Sequence, residues 1–493
     1  RPQPPTVTLQ LDPAVPLPAP EAETGPEGRW CVIGAGFAGL AMASELQRRG
    51  VPFTVLEQER ALGGNWHSGV YAGVHMISSK RTTQMSNLPM PAAFPDFPSA
   101  AQVRAYLEQY ADHFRLRPHI QFDAEVARLE PVADGGAWRV QLAGGAWRTY
   151  AGVVVCNGHD WAPRMPRYPG RATLDALHSR AYKDPAALAG RRVLVVGGGN
   201  SACDIAVQAA RVGAGAAIAL RRGYWFIPRM LFGRPIAEVF CHWAPYWAQQ
   251  AWIGLGLAVV FGGFGEYGLL RPSHTLFDHP VSVSEHLFQE VKKGRLAVRR
   301  DVARIDGKTV TFVDGVREDF DLVVYGTGYH AALPMIEHLV EYREGIPQLL
   351  HGMIHPVYKN LFLLGFGQAR SGCGPLLCAG AAAVMAFIEA QARMTLPLGR
   401  VMRLTGSRPK RRAKNSEEVI IDPHKAFAQA RLVCALVAPL APFWERLFFD
   451  RSRYRPEATA RAGARLQARI ARRRRAQGPP AASLAHCAGG CGS

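Results

Sequence analysis

The chain has 493 residues, 48% hydrophobic and 20% charged, and 58 Lys and Arg against 39 Asp and Glu give a net charge of +19. That size and apolar content allow two domains with sizeable cores. The nine cysteines carry no C-x-x-C pair matched to another, which excludes a zinc scaffold and leaves them as buried or free thiols.

Arg1 to Gly28 holds eight prolines and no aliphatic run of signal-peptide length, so a disordered leader is expected there. The short apolar run Trp30-Cys31-Val32-Ile33 then leads into GAGFAG, Gly34–Gly39, and a helix-like stretch to Arg49. Strand, glycine turn and helix in that order mark a dinucleotide site. Gly34 permits the tight turn, Gly36 lets backbone N–H groups approach a pyrophosphate, and Gly39 lets helix pack on strand. Val51–Leu56 reads as the next strand and ends in Glu57, a carboxylate suited to ribose hydroxyls and hostile to a 2′-phosphate, which fits FAD.

Phe122–Leu129, Trp138–Leu142 and Trp147–Ala151 are expected to form a small meander. Val153–Cys156 follows as a strand and ends in the turn Asn157-Gly158-His159. A second fingerprint, GGGNSA at Gly197–Ala202, again follows an apolar run, Val193–Val196, and opens into a helix, Cys203–Arg211. Here the next strand, Ala217–Leu220, ends in Arg221-Arg222. Two guanidinium groups suit a 2′-phosphate, so this site is expected to take NADPH through Gly197, Gly199, Ser201, Arg221 and Arg222; a solvated arginine pair is the plainer alternative. Leu322–Tyr325 and the turn Gly326–Tyr329 mirror the earlier strand-to-glycine turn, and Leu361–Leu364 with a helix over Ala379–Ala392 would close the first unit.

The fold class expected is therefore α/β, with two Rossmann-like dinucleotide-binding domains: a larger, discontinuous FAD domain and a smaller NADPH domain. The boundaries read as leader 1–28, FAD domain 29–166, NADPH domain 167–318, FAD domain resumed 319–395, and a C-terminal appendage 396–493 with no assigned role. Arg451 to Arg475 holds ten arginines against Glu457 alone. Arg461, Arg465, Arg469 and Arg473 would share one helix face, suited to anionic lipid headgroups or nucleic acid, or simply solvated. Trp252–Gly265 and Leu432–Trp444 are apolar but short, the first with five glycines and the second broken by Pro439 and Pro442, so neither is expected to span a membrane and each would pack on the core or lie in a membrane interface. The expected location is the cytoplasm, with peripheral membrane contact through the basic tail.

Several ordered motifs together resemble the flavin-containing monooxygenases, class B flavoprotein monooxygenases of the animal-type branch, from about Trp30 to Ala392. They are GAGFAGL with Glu57 and Gly63-Gly64-Asn65-Trp66; SSKRTTQMSNLPMPAAFPDFP over 78–98; VCNGHDWAPRMP over 155–166; VVGGGNSACDIA over 195–206, followed by RRGYWFIPR; and Gly326-Thr327-Gly328-Tyr329, with Gly where the family's ATGY turn has Ala. The resemblance implies FAD held also by Gly64 and Trp66, and Thr327, Gly328 and Tyr329 near the cofactor junction. It further implies a hydroperoxyflavin that gives one oxygen atom from dioxygen to a small organic substrate, usually a soft nitrogen or sulfur nucleophile. No catalytic acid–base residue is assigned.

Two positions depart from the family pattern. His178 and Tyr182 survive from its identifying segment, but Ala172 and Leu174 replace the expected Phe and Gly, and His178 reads either as a nucleotide contact or as a linker histidine. Ile77 stands where the animal-type enzymes carry an asparagine beside the flavin, and isoleucine offers no hydrogen bond; Ser78 or Ser79 would be the substitutes. Ile77 motivates an alternative, an NADPH oxidase releasing hydrogen peroxide. Cys373/Cys378 and Cys487/Cys491 are near-pairs that would allow a dithiol relay; Cys487 and Cys491 motivate another alternative, a flavin-linked dithiol reductase, and the basic stretch a third, a nucleotide-sensing adaptor. Trp225, Trp243, Trp247 and Trp252 are expected to pack the nucleotide domain, to meet a second subunit of a homodimer or to line a substrate pocket.

Overall fold

The computed structural model describes residues 28–239, 246–276, 279, 281–369, 372–403, 420–421 and 423–477. Residues 1–27 of the Pro-rich leader, Trp243, Cys487 and Cys491 lie outside these residues.

Two five-stranded parallel sheets organise the chain. In the first, the strands run Leu361–Leu363, Gly152–Val155, Trp30–Ile33, Phe53–Leu56, Ile120–Gln121. Their residues are nearly all apolar because both faces are covered. Trp30, Val32, Phe53 and Val154 face one core with the helices, whereas Cys31, Ile33, Leu56 and Val155 face the other. That second face is covered by the antiparallel meander Val126–Val132, Ala137–Leu142, Trp147–Tyr150, through Leu129, Trp138 and Val140. The meander begins later than the sequence suggests, because Asp123 turns the chain through a positive φ of 51°.

The second sheet repeats the plan: Ala297–Arg300, Gly215–Leu220, Arg192–Val196, Leu322–Tyr325, Asp175–His178, all parallel. Its lower face rests on another meander, Val302–Asp306, Thr309–Phe312, Arg317–Asp319. Leu322–Tyr325, read above as the start of the returning FAD segment, pairs instead with Arg192–Val196. The crossing back therefore falls after Tyr325, not at 318/319.

The C-terminal segment is part of the first unit's core. Leu398, Val401, Met402, Val433, Ala438 and Ala441 join the cluster around the helix Gly374–Ala392. Pro423–Leu432, Val433–Val437 and Ala438–Phe448 run on as one helical stretch, its middle five residues in π geometry. The wider π turn next to Pro439 lets the helix pass the prolines that the sequence reading took as breaks. Lys425–Phe448 and Gly374–Ala392 are thus long and apolar enough to cross a membrane by length and composition, although half of the latter is buried in protein. The arginine-rich stretch is helical from Pro456 to Gln477 and packs through Leu466 and Ile470.

Candidate functional site

The first fingerprint turns at Gly34, whose φ of +101° suits glycine, and a Cβ there would lie 2.8 Å from the Cys156 carbonyl oxygen. Gly39, on the helix Phe37–Arg48, is closer still: its Cβ would lie 1.8 Å from the Gly34 carbonyl oxygen. The helix starts at Gly36 with no side chain capping it, so its first N–H groups are available to an anion. Glu57 ends the neighbouring strand and is buried. Its Oε2 accepts the Ala35 N–H at 2.6 Å and its Oε1 the Glu59 N–H at 3.0 Å. Burial raises its carboxyl above the ordinary range, and these two N–H groups oppose that rise. Each oxygen keeps a lone pair for a further donor.

A cavity of about 410 Å³ opens over this turn, lined by Gly34, Gly36, Glu57, Gly64 and Trp66, a size typical of small-molecule sites. Gly39 stands behind the wall and sets the helix–strand distance. The cavity reaches from Glu57 to the helix Gly374–Ala392, and Asn157 also faces it. The Asn157 amide nitrogen donates to the Ala332 carbonyl at 3.1 Å, while its buried Oδ1 has no partner. A bound group bringing N–H or hydroxyl donors would satisfy that oxygen, and FAD carries both, so the wall fits the flavin nucleotide. Sequence reasoning missed Asn157 and also the far wall: Ala426, Gln429, Ala430 and Val433 come from the segment read as an appendage. No motif marks them.

In the second unit Gly197 takes φ +124°, with a Cβ position 2.3 Å from the Gly326 carbonyl oxygen. At Gly199 a Cβ would meet nothing within 4 Å, which leaves open space over the start of the helix Asn200–Val212. Ser201 interacts with the Tyr71 hydroxyl of the first unit, which donates to Asp204 Oδ2 at 3.0 Å. Arg221 is exposed just past the strand Gly215–Leu220, and the Arg222 guanidinium lies 5.3 Å over the Tyr224 ring. Arg300, not singled out from the sequence, ends the adjacent strand in register with Leu220. The open fingerprint and the clustered cations fit a phosphorylated nucleotide.

Thr327, Gly328 and Tyr329 lie where the two crossing segments meet. Tyr329–His330 pairs antiparallel with Ala162–Pro163, and the Thr327 hydroxyl donates to the Arg164 carbonyl. His178 serves this junction: one ring nitrogen reaches the Gly328 carbonyl at 3.0 Å and the other accepts the Arg180 N–H at 3.1 Å. Both nitrogens are thus engaged by backbone, and burial lowers its pKa to about 4.

Ile77 packs against the apolar cluster of Ile227, Ile253 and Val283 in the second unit and is not in the cavity wall. Ser78 bonds Thr83 at 2.7 Å and Ser79 caps the turn Lys80–Thr83, so both hydroxyls are engaged locally. Cys373 and Cys378 are free thiols whose pKa values burial raises, that of Cys373 to about 12, which disfavours the reactive thiolate. Of the tryptophans, Trp225 packs inside and donates to the His274 carbonyl at 2.9 Å, whereas Trp247 and Trp252 are exposed.

The model of the flavin-binding monooxygenase-like family matches residues 27–413. The indole-3-pyruvate monooxygenase YUCCA1 of Oryza sativa subsp. japonica is 32% identical over 314 residues, 62% of this chain and 77% of that protein. Dimethylaniline monooxygenase (N-oxide-forming) 2 of Oryctolagus cuniculus is 30% identical over 355 residues, 66% of each chain. Among solved structures, OTEMO in complex with FAD and NADP superposes with a TM-score of 0.61 at 16% identity, over 75% of this chain and 85% of that one.

Proposed function

The chain belongs to the flavin-binding monooxygenase-like family, and from that premise we propose an FAD- and NADPH-dependent monooxygenase. It consumes NADPH, a proton and dioxygen and returns NADP⁺, water and a small organic substrate carrying one added oxygen atom, on a soft nitrogen or sulfur nucleophile. The observation that carries the reading is the pair of glycine turns, each beneath a crossing chain and each followed by a helix start with no side-chain cap. Gly34 and Gly36 receive the FAD pyrophosphate on backbone N–H groups, Glu57 takes ribose hydroxyls, and Gly64, Trp66 and Asn157 shape the rest of the cavity. Gly197, Gly199 and Ser201 receive the NADPH pyrophosphate, with Arg221 and Arg222 on the 2′-phosphate. When bound, the flavin supplies the electron transfer and oxygen activation; the protein positions it and excludes water. Thr327, Gly328, Tyr329 and His178 hold the junction between the two sites.

A second reading, an NADPH oxidase, rests on Ile77 standing where the resembling enzymes carry an asparagine, although Ile77 packs in the second unit and outside the flavin cavity wall. One experiment separates the two: oxygenated product is counted against NADPH consumed for a tertiary amine and a thioether. Product in proportion to NADPH supports the monooxygenase, and stoichiometric hydrogen peroxide with every substrate replaces it by the oxidase. The proposal includes a cytoplasmic location with peripheral attachment of the basic C-terminal region to a membrane, and a homodimer in which exposed Trp247 and Trp252 offer a contact face.

A further inference from the structure

The helical stretch 423–448 has two unlike faces. Its inner face supplies Ala426, Gln429, Ala430 and Val433 to the flavin cavity and buries Ala438 and Ala441. Its outer face presents Leu432, Leu436, Leu440, Phe443 and Leu447 at intervals of three or four residues, from 39% exposed at Leu440 to 60% at Leu447. Such a stripe is continuous along one side of a helix. The only acid in the stretch, Glu445, is fully buried and accepts the Leu396 N–H. Arg431 and Arg446 are exposed on the helix, and just beyond it Arg453 pairs with Asp450 at 3.0 Å. We propose that this outer face lies in the interfacial plane of an anionic lipid bilayer, with the arginines at headgroup level and the opposite face closing the flavin cavity.

Charge decides the occupant. A second copy would bring one arginine-rimmed stripe against another, whereas an anionic bilayer complements the rim and accepts the apolar side chains. The helix lies on the surface and does not span, because its inner face is held against protein. The inference rests on the peripheral-attachment reading but moves the surface. The helix Pro456–Gln477 is a weaker candidate, since its Leu466 and Ile470 are buried, Arg469 and Arg473 pair with Glu341, and Arg474 pairs with Glu337 at 2.8 Å.

The test uses the full-length, FAD-loaded protein in flotation with phosphatidylcholine vesicles, with and without phosphatidylglycerol. The native chain is expected to float with the anionic vesicles. The variant Leu436→Ser/Leu440→Ser/Phe443→Ser is expected to lose about tenfold or more in binding, with flavin absorbance and circular dichroism unchanged, while Arg461→Glu/Arg465→Glu retains most of it. Hydrogen exchange on the native chain gives a reading free of any folding defect: vesicles should protect 432–448 and leave 461–475 unchanged. Protection or loss of binding confined to 461–475 overturns the proposal and leaves peripheral attachment standing. Failure of every form to float overturns both. A native dimer that the triple serine variant converts to monomer, without vesicle binding, assigns the face to a second copy and overturns it as well.

Discussion

In the first unit the third fingerprint residue is Gly39, and a Cβ on it would fall 1.8 Å from the Gly34 carbonyl oxygen. In the second unit the same position is Ala202, and the missing methyl belongs to the crossing chain, where a Cβ on Gly326 would fall 2.5 Å from the Ala202 Cβ. The residue equivalent to Gly326 in the first unit is Cys156, whose Cβ would be 3.7 Å from a Cβ on Gly39. The two glycines therefore answer different neighbours: Gly39 clears the carbonyl of its own turn and would make only ordinary contact with Cys156, whereas Gly326 on the crossing chain clears the Ala202 methyl. This accounts for the glycine where the family's turn has alanine: Ala202 already occupies the space. The ends of the second strands differ in charge in the same paired way, with Glu57 after Leu56 and Arg221 after Leu220.

The sharpest way to break this comparison is Gly39→Ala, which should destabilise the protein by about 3 kcal/mol through overpacking. Ala202→Gly in the other unit should cost about 1 kcal/mol, the helix-propensity difference. Equal losses in denaturant titrations would show the two contacts to be alike. Next in size, Gly326→Ala should cost about 2 kcal/mol alone and only partly less in an Ala202→Gly background, because its Cβ would still fall 2.8 Å from the Cα of residue 202. Simple additivity of the two substitutions would show that the Ala202 methyl is not what crowds Gly326. The charge half of the comparison predicts tighter discrimination: Arg221→Ala should weaken NADPH binding about tenfold, equivalent to ~1.4 kcal/mol, and leave NADH little changed. Equal effects on both nucleotides would withdraw the 2′-phosphate from Arg221. Glu57→Gln should weaken FAD by a comparable factor in fluorescence titrations and leave NADPH affinity alone.

A separate effect is on pH dependence. Burial holds His178 at about 4 in the folded chain, against an ordinary value near 6.5, so between those limits the unfolded chain binds a proton that the folded chain does not. The stability involved is present above pH ~6.5 and is lost as pH falls toward ~4, by at most ~1.4 kcal/mol per unit. His338 and His355, lowered to about 4 by burial as well, add to the same slope. Replacing His178 by Asn should make that slope shallower by the share of one group, and an unchanged slope would mean His178 is solvated.

Local signals were readable wherever sequence order and spatial order coincide. Both turns, both flanking strands and the first meander follow from apolar runs bounded by glycine or polar residues. Leu322–Tyr325 was given to the wrong sheet because an all-apolar parallel strand looks the same whichever neighbour it joins. Pairing with Arg192–Val196 is settled by topology, far away in sequence. The wall formed by Ala426, Gln429 and Ala430 was invisible because small residues on a helix carry no chemical signature. The helix through Pro439 and Pro442 was missed because a π turn next to the prolines relieves what an ordinary helix cannot. Ile77 was recognised as unusual, but its apolar neighbours come from another domain.

The measurement closest to the central claim is anaerobic titration of the FAD-reconstituted protein with NADPH. The account expects a yellow protein with one flavin per chain, bleached by one equivalent of NADPH and recoloured by air with oxygen appearing in a thioether substrate. A chain that takes up no flavin, or whose flavin stays oxidised in excess NADPH, would contradict it.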